Sequence, residues 1–228
     1  MNAKILFVFL LLSGCAAVAQ STQPTPNPNP PPSPGAIVDP DLGNVEWLRY
    51  PHWAYSIWAD YGNGVGTRTD VRAVGVGVRL GRVLTREHGS GCARGTLEYD
   101  IDLTPAEIYH LPTYTPRGSS VALPAKNYYT AGFDPFVAKW NFTSGRKWAP
   151  YVAAEGGIVF SNGDLPQGDT SNVNFTSGAA FGLNRFDAGG NAWMVQGKVY
   201  HLSNASLGLH NPGINAAVQF KIGYTWFK

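Results

Sequence analysis

Little in this chain is charged. Lys, Arg, Asp and Glu make up 14% of its 228 residues, and the formal net charge is only +2. No block of basic residues interrupts it, which argues against a nucleic-acid partner. Cysteine is nearly absent: Cys15 and Cys92 are the two, so no disulfide framework holds the fold. Beyond the N-terminus there is no apolar run of membrane-helix length. What is plentiful is glycine, at 27 residues, and aromatic side chains, at 13%. With no long helical period anywhere, these abundances point to an all-β chain, long enough for one domain that encloses an interior.

Residues 1–19 read as a secretory signal. Lys4 supplies the positive start, Ile5 to Leu12 the apolar core, and Ala17-Val18-Ala19 a small-residue cleavage site. A second reading stays open, because Leu12-Ser13-Gly14-Cys15 resembles a bacterial lipobox that would make Cys15 a lipidated N-terminus. The well-formed site favours cleavage after Ala19. Residues 20–43 are rich in proline and have no core to offer, so they read as an extended leader. After processing Cys92 stands alone, and a lone cysteine in a strand reads as small filler.

From residue 44 to 228 short alternating segments follow one another. Trp53, Tyr55, Ile57, Ala59 and Tyr61 share one face of a first strand, and Val74, Val76, Val78 and Leu80 one face of a second. The third sets Leu97, Tyr99, Ile101 and Leu103 against Glu98, Asp100 and Asp102; the fourth sets Phe136, Ala138, Trp140 and Phe142 against Val137, Lys139 and Asn141. A fifth runs through Val152 to Phe160 and a weaker sixth through Phe175 to Leu183. A seventh carries Trp193, Val195, Gly197 and Val199 on one face, and the last alternates from Val218 to Trp226.

Eight such strands can close as a soluble barrel, apolar inside, or as a membrane barrel, apolar outside. Aromatics gather near strand ends (Trp53, Tyr61, Tyr224, Trp226), as interfacial girdles do. The opposite face mixes glycine with Asp60, Arg79, Glu98, Asp100, Lys139, Glu155 and Lys198, both signs of which can pair in a filled lumen. The connection expected at 104–126 is long and that at 161–171 moderate, while those at 143–147 and 187–190 are short. Long outside and short inside fits an eight-stranded antiparallel outer-membrane β-barrel whose first strand starts in the periplasm. The seventh strand then ends at the cell surface.

That strand ends in Val199-Tyr200-His201-Leu202-Ser203-Asn204. His201 and Ser203 share a face by parity, and it is the lipid face. A serine hydroxyl needs a base to become a nucleophile, and histidine is the usual one. Asn204 can donate to an oxyanion through its backbone N–H, or through its side chain if the strand distorts. Asn215, at the start of the neighbouring eighth strand, is the candidate to orient the His201 ring. Parity points it toward the lumen unless a bulge shifts it. The bland alternative is an ordinary pair of polar strand residues near an interface. Both residues, however, interrupt an apolar face at headgroup depth, where a catalytic pair meets only lipid.

At these residues the chain resembles the outer-membrane lipid A 3-O-deacylases. His201-Leu202-Ser203-Asn204 matches their His-x-Ser-Asn motif on the penultimate strand of an eight-stranded barrel. The resemblance continues through Asn211-Pro212-Gly213-Ile214-Asn215. Upstream it includes Phe133-Asp134-Pro135, Lys139-Trp140-Asn141-Phe142, Ala149-Pro150-Tyr151 and Asn174-Phe175-Thr176. It implies a serine esterase of the bacterial outer membrane that removes the ester-linked 3-hydroxyacyl chain at the 3 position of lipid A, the lipid anchor of lipopolysaccharide. Ser203 would be the nucleophile, His201 the general base and Asn204 the oxyanion stabiliser, with no cofactor and no metal. Where well-studied members carry Glu to orient the histidine, this chain has Asn215, which leaves the orienting role open.

Other features carry less. His52, His88, His110 and His210 show no metal-ligand spacing. Glu98, Asp100 and Asp102 read as lumen carboxylates before a metal cluster, and Gly75-Val76-Gly77 as barrel wall rather than a phosphate loop. The rival functions are a non-catalytic outer-membrane barrel with a structural or surface-binding role, and a soluble lipid-binding barrel. Intact-mass analysis of the exported protein should give a chain beginning at Gln20; a diacylglyceryl group on Cys15 would establish the lipobox reading instead.

Overall fold

Strand β2 (Arg72–Val83) shows how the wall is built. Val74, Val76, Val78 and Leu80 point outward and are 41–54% exposed, while Ala73, Gly75, Gly77, Arg79 and Gly81 turn inward. The same period of two runs through β1 (Trp53–Gly64), β3 (Gly95–Leu111), β4 (Lys126–Phe142), β5 (Trp148–Ser161), β6 (Val173–Phe186), β7 (Ala192–Ser203) and β8 (Ile214–Phe227). Each strand pairs antiparallel with the next, and β8 pairs with β1, so the sheet closes on itself. This is a computed structural model; it describes residues 47–49, 51–65, 70–115, 120–145, 147–168, 170–208 and 214–228. The expected signal at 1–19 and leader at 20–43 lie outside the described residues.

Register fixes the dimensions. Partners followed round the barrel from Ser203 run through Phe175, Ile158, Phe133, Leu103, Val78, Ile57 and Tyr224 and return to β7 at Trp193, ten residues from the start. Eight strands with that stagger leave an interior that side chains fill. The row is aliphatic or aromatic apart from its first residue, Ser203.

Strands β3 and β4 are longer than the sequence pattern suggests. The alternation read from it stops near Leu103 and starts at Phe136, because Pro105 and Pro135 each break a period of two. The pairing continues past both prolines through β-bulges. Register shifts fall between Thr104 and Glu107 and between Phe133 and Phe136, where a missing N–H costs no ladder bond. Inward parity changes there too, from Asp100, Asp102 and Thr104 to Glu107, Tyr109 and Leu111. The long connection is therefore 112–125 rather than 104–126. Cys92 is likewise not strand filler: it is exposed, on the 3-10 turn Gly91–Ala93 between β2 and β3.

The lumen is layered. At one end Leu48, Ala54, Val83, Ala149, Phe186, Ala192 and Phe227 form an apolar plug. At the other, Tyr109, Leu111, Tyr128, Leu165, Tyr200, Leu202 and Ile214 form a second, the upper plug. Between them lies a charged core. Arg79 makes a bidentate pair with Asp102 (Nε to Oδ1 2.6 Å, Nη2 to Oδ2 2.8 Å) and also approaches Asp100 at 3.4 Å. Lys139 meets Glu98 at 2.7 Å, Lys198 meets Glu155 at 2.5 Å, and Lys221 meets Asp102 at 3.3 Å. Tyr151 donates to Gln196, which donates to Glu155. Lys221 also sits 4.1 Å over the Trp58 ring. That ring lies against Gly77, where a Cβ would fall 2.0 Å from it, so glycine makes room for the indole.

Outside, Trp53, Trp148, Trp193 and Trp226 are exposed near the end that carries the chain's C-terminus. Trp193 and Tyr224 meet edge-on at 5.3 Å, and Arg82 and Arg185 cover Trp53 and Trp148. Aromatic bodies with polar tips and adjacent cations suit a membrane interface. The turn 187–191 at this end is held by Asp187, whose carboxylate accepts from Tyr224 Oη at 2.5 Å and from the N–H groups of Gly189 and Asn191. Burial opposes its ionisation, yet these donors hold the carboxyl below the usual carboxylate range. The opposite end carries the connections 65–71, 112–125, 162–172 and 204–213.

Replacing Arg79 with Met should strand Asp100 and Asp102 without their shared cation. Removing one partner of a buried pair costs about 3–5 kcal/mol. Urea unfolding of the detergent-folded barrel should show that loss; a variant as stable as the parent would mean the network is not a folding constraint.

Candidate functional site

The end of strand β7 is anchored from inside the barrel. Tyr200 and Leu202 point inward, 4% and 0% exposed; the Tyr200 hydroxyl meets that of Tyr109 at 3.2 Å. His201 and Ser203 therefore point outward, and both are half-buried. Sequence parity put the pair on the lipid face, and the structure has it there.

The two flanking strands treat this segment differently. On the β6 side the ladder is regular, with Phe175 opposite Ser203 and Ser177 opposite His201. On the β8 side Tyr200 pairs with Ala217 and Leu202 with Ile214, so residues 215 and 216 together oppose the single residue His201. Ile214 and Ala217 both face inward despite their odd spacing, which is the signature of a bulge. Asn215 thus stands in the bulged pair across from His201 by backbone register. Its side chain lies outside the described residues.

Asn204 is 2% exposed, on the inward side. Its Oδ1 accepts from the Ser206 N–H at 2.9 Å, and its carbonyl accepts from the Leu207 N–H at 2.9 Å. The turn has Ala205 at φ 49° and Ser206 at φ 65°. That is the left-handed region at two non-glycine residues, a cost of roughly 1–2 kcal/mol each. Such strain persists only where surroundings over-determine it. Here they do: a Cβ on Gly208 would fall 1.9 Å from the Thr170 carbonyl oxygen, so this turn is pressed against the connection 162–172. That connection buries Leu165 completely in the upper plug, and Gln167 Nε2 donates to Pro112 O at 3.0 Å.

Sequence reading missed part of the interior next to the site. Asp134 and Glu107 join the lumen network because the bulges at Pro105 and Pro135 switch parity, and only the prolines hinted at it. A small cavity of about 30 Å³ beneath β7 is lined by Glu107, Asp134, Thr176, Lys198, Tyr200 and Lys221 among others. Carboxylates of Asp102, Asp134 and Glu155 converge within 4.8 Å. Lys198 bridges Glu155 and Asp134, while Arg79 and Lys221 hold Asp102, so cationic side chains supply the counter-charge in place.

An eight-stranded closed barrel with an apolar outer face, an aromatic girdle and a charged, plugged lumen is an outer-membrane barrel, and its rim carries a His–Ser pair turned toward lipid. The family model for lipid A 3-O-deacylase (PagL) matches residues 96–225. That is more than half of the chain, which belongs to this family of outer-membrane ester hydrolases. Among solved structures it is similar to the outer membrane enzyme PagL, at 20% identity over 75% of this chain and 97% of that one, with a TM-score of 0.47. It is also similar to Neisserial surface protein A (NspA), at 13% identity over 77% and 95% of the two chains, with a TM-score of 0.42. Among curated proteins none matches in sequence.

Replacing Gly208 with Val should push the 204–208 turn off Thr170 while leaving the strands paired. Misplacement of an adjacent reacting group by about 1 Å costs up to roughly a hundredfold in rate. Deacylation of lipopolysaccharide should fall by roughly ten- to a hundredfold, with barrel formation unchanged by heat-dependent gel migration; full activity would show that the turn is not coupled to the site.

Proposed function

We propose that the chain hydrolyses the 3-O-linked acyl ester of lipid A by a Ser–His mechanism at the outer rim of the barrel. The observation that carries this is the shared outward face of His201 and Ser203 at the end of an otherwise apolar strand. The ester of a lipid A molecule in the outer leaflet lies where sugar meets acyl chain, the depth at which that strand ends.

In this reading His201 takes the proton from Ser203 Oγ as the oxygen attacks the ester carbonyl carbon. The resulting oxyanion is met by the main-chain N–H of Asn204, since the Asn204 side chain is turned inward and its Oδ1 serves the turn. Collapse breaks the bond to the sugar oxygen, and His201 returns its proton to that oxygen. Water then adds to the acyl-serine with His201 again as base, releasing the 3-hydroxy fatty acid and restoring the Ser203 hydroxyl. Asn215 orients the imidazole from the β8 bulge. As a neutral amide it gives no charge stabilisation to the imidazolium, so a carboxylate there would speed the reaction.

Mass spectra of lipid A from cells expressing the protein should lack one 3-hydroxyacyl chain, and the loss should disappear with Ser203→Ala or His201→Ala. In the same assay Asn215→Ala should slow turnover and Asn215→Glu should raise it several-fold. Unaltered lipid A under good expression and folding would instead favour a non-catalytic barrel.

A further inference from the structure

We propose that the barrel end opposite His201 and Ser203 carries two sites for the phosphate of an anionic glycerophospholipid, one at Trp53 and one at Trp148. Trp53 and Arg82 are register partners across β1 and β2, and the Arg82 guanidinium carbon lies 4.8 Å from the indole centroid. Trp148 and Arg185 are partners in the same way across β5 and β6, at 5.6 Å. All four side chains are exposed on the outward face. A lysine stands beside each pair. Lys228 exchanges two main-chain hydrogen bonds of 2.8 Å with Trp53. Lys147 precedes Trp148 in the chain, and its carbonyl accepts from the Phe186 N–H at 2.8 Å. The same unit of tryptophan, arginine and lysine thus occurs twice, four strands apart and so on opposite sides of the wall.

The stack decides what the arginines can hold. Cation–π attraction fixes a guanidinium over an indole without using its N–H donors. The fork that matches two phosphate oxygens therefore stays available, already placed at the rim. The two carboxylates at this end are taken: Glu87 lies with Arg49 and Arg94, and Asp187 accepts from Tyr224. Among the described residues Arg82, Arg185, Lys147 and Lys228 have no carboxylate partner.

Charge is also unequally shared between the two ends. This one exposes Arg82, Arg86, Arg94, Lys147, Arg185 and Lys228, whereas the other exposes Arg72 and Lys126 against Asp70 and Asp164. Among the described residues the excess of positive charge therefore lies at one end, where it attracts anionic lipid within a Debye length. The anion within reach of an outward-facing indole at interfacial depth is a lipid phosphate, whose acyl chains lie along the wall. Two cations per phosphate favour a headgroup with no cation of its own, so glycerol is preferred to ethanolamine. With His201 and Ser203 in the lipopolysaccharide leaflet, as proposed above, these sites lie in the phospholipid leaflet and hold the barrel at its depth from opposite sides. Only the choice of leaflet rests on that reading.

Native mass spectrometry provides the test, on the full-length protein folded in detergent with equal amounts of dioleoylphosphatidylglycerol and dioleoylphosphatidylethanolamine. Two molecules of the glycerol lipid should stay bound in preference to the ethanolamine lipid. Arg82→Gln and Arg185→Gln should each weaken one of the two sites about fivefold, and the double variant both. Trp53→Leu, which keeps the cations and removes the stack, should weaken the site at β1 as well. Arg72→Gln, at the other end, should change nothing, and heat-dependent gel migration shows that each variant is folded. Equal retention of the two lipids, full retention in the double variant or in Trp53→Leu, or an equal loss in Arg72→Gln would overturn the sites. Displacement of the lipid by millimolar glycerol phosphate would overturn the lipid as the occupant. Deacylation is not part of the readout, so an inactive esterase would leave the sites standing.

Discussion

Hydrocarbon offers no donor and no acceptor, so every peptide group in the wall has to find its partner within the sheet. Closure of β8 onto β1 meets that demand by removing the edges. Much else in the molecule is a consequence. A closed sheet of eight strands with a stagger of ten residues has a fixed, narrow interior, and its two faces must take opposite chemistry. Valine, leucine and aromatics go out to lipid. Glycine and charge go in, and because the interior is too narrow to hold a channel, the charges must pair with one another.

The prolines show how the chain reconciles that demand with local sequence. A proline in a central strand would leave a carbonyl on the neighbouring strand without its donor, in a solvent that cannot replace it. Pro105 and Pro135 are accommodated at bulges, where the register already skips. The skip reverses inward parity along β3 and β4. Glu107, Tyr109 and Asp134 then face the lumen, and a sequence-derived face assignment carried past the prolines would have sent them outward.

The site sits where the wall's constraints relax. At the outer end of β7 the apolar face stops, a bulge interrupts the β8 ladder at His201, and the following turn takes two left-handed residues under pressure from the connection 162–172. Rigid support comes from inside, through Tyr200 and Leu202 in the upper plug, while the polar pair faces out. A hydrolase of a membrane lipid needs both: a frame stiff enough to hold a proton-transfer geometry, and reacting groups presented to the bilayer rather than to a pocket.

The period of two was legible in the sequence almost throughout, and with it the strand count, the outward set of residues and the lipid-facing parity of His201 and Ser203. These follow from the geometry of a single strand, in which alternate side chains share a face whatever the neighbours do. Pairing with neighbours was decided only by the tertiary structure. It determined that β3 and β4 continue through their prolines, that residues 215 and 216 share the place opposite His201, that Ser177 is the partner of His201 on β6, and that Asn204 folds inward to hold its own turn. Each depends on which residue of one strand lies across from which residue of another. Register is set by closure of the whole barrel, and no local run of sequence contains it.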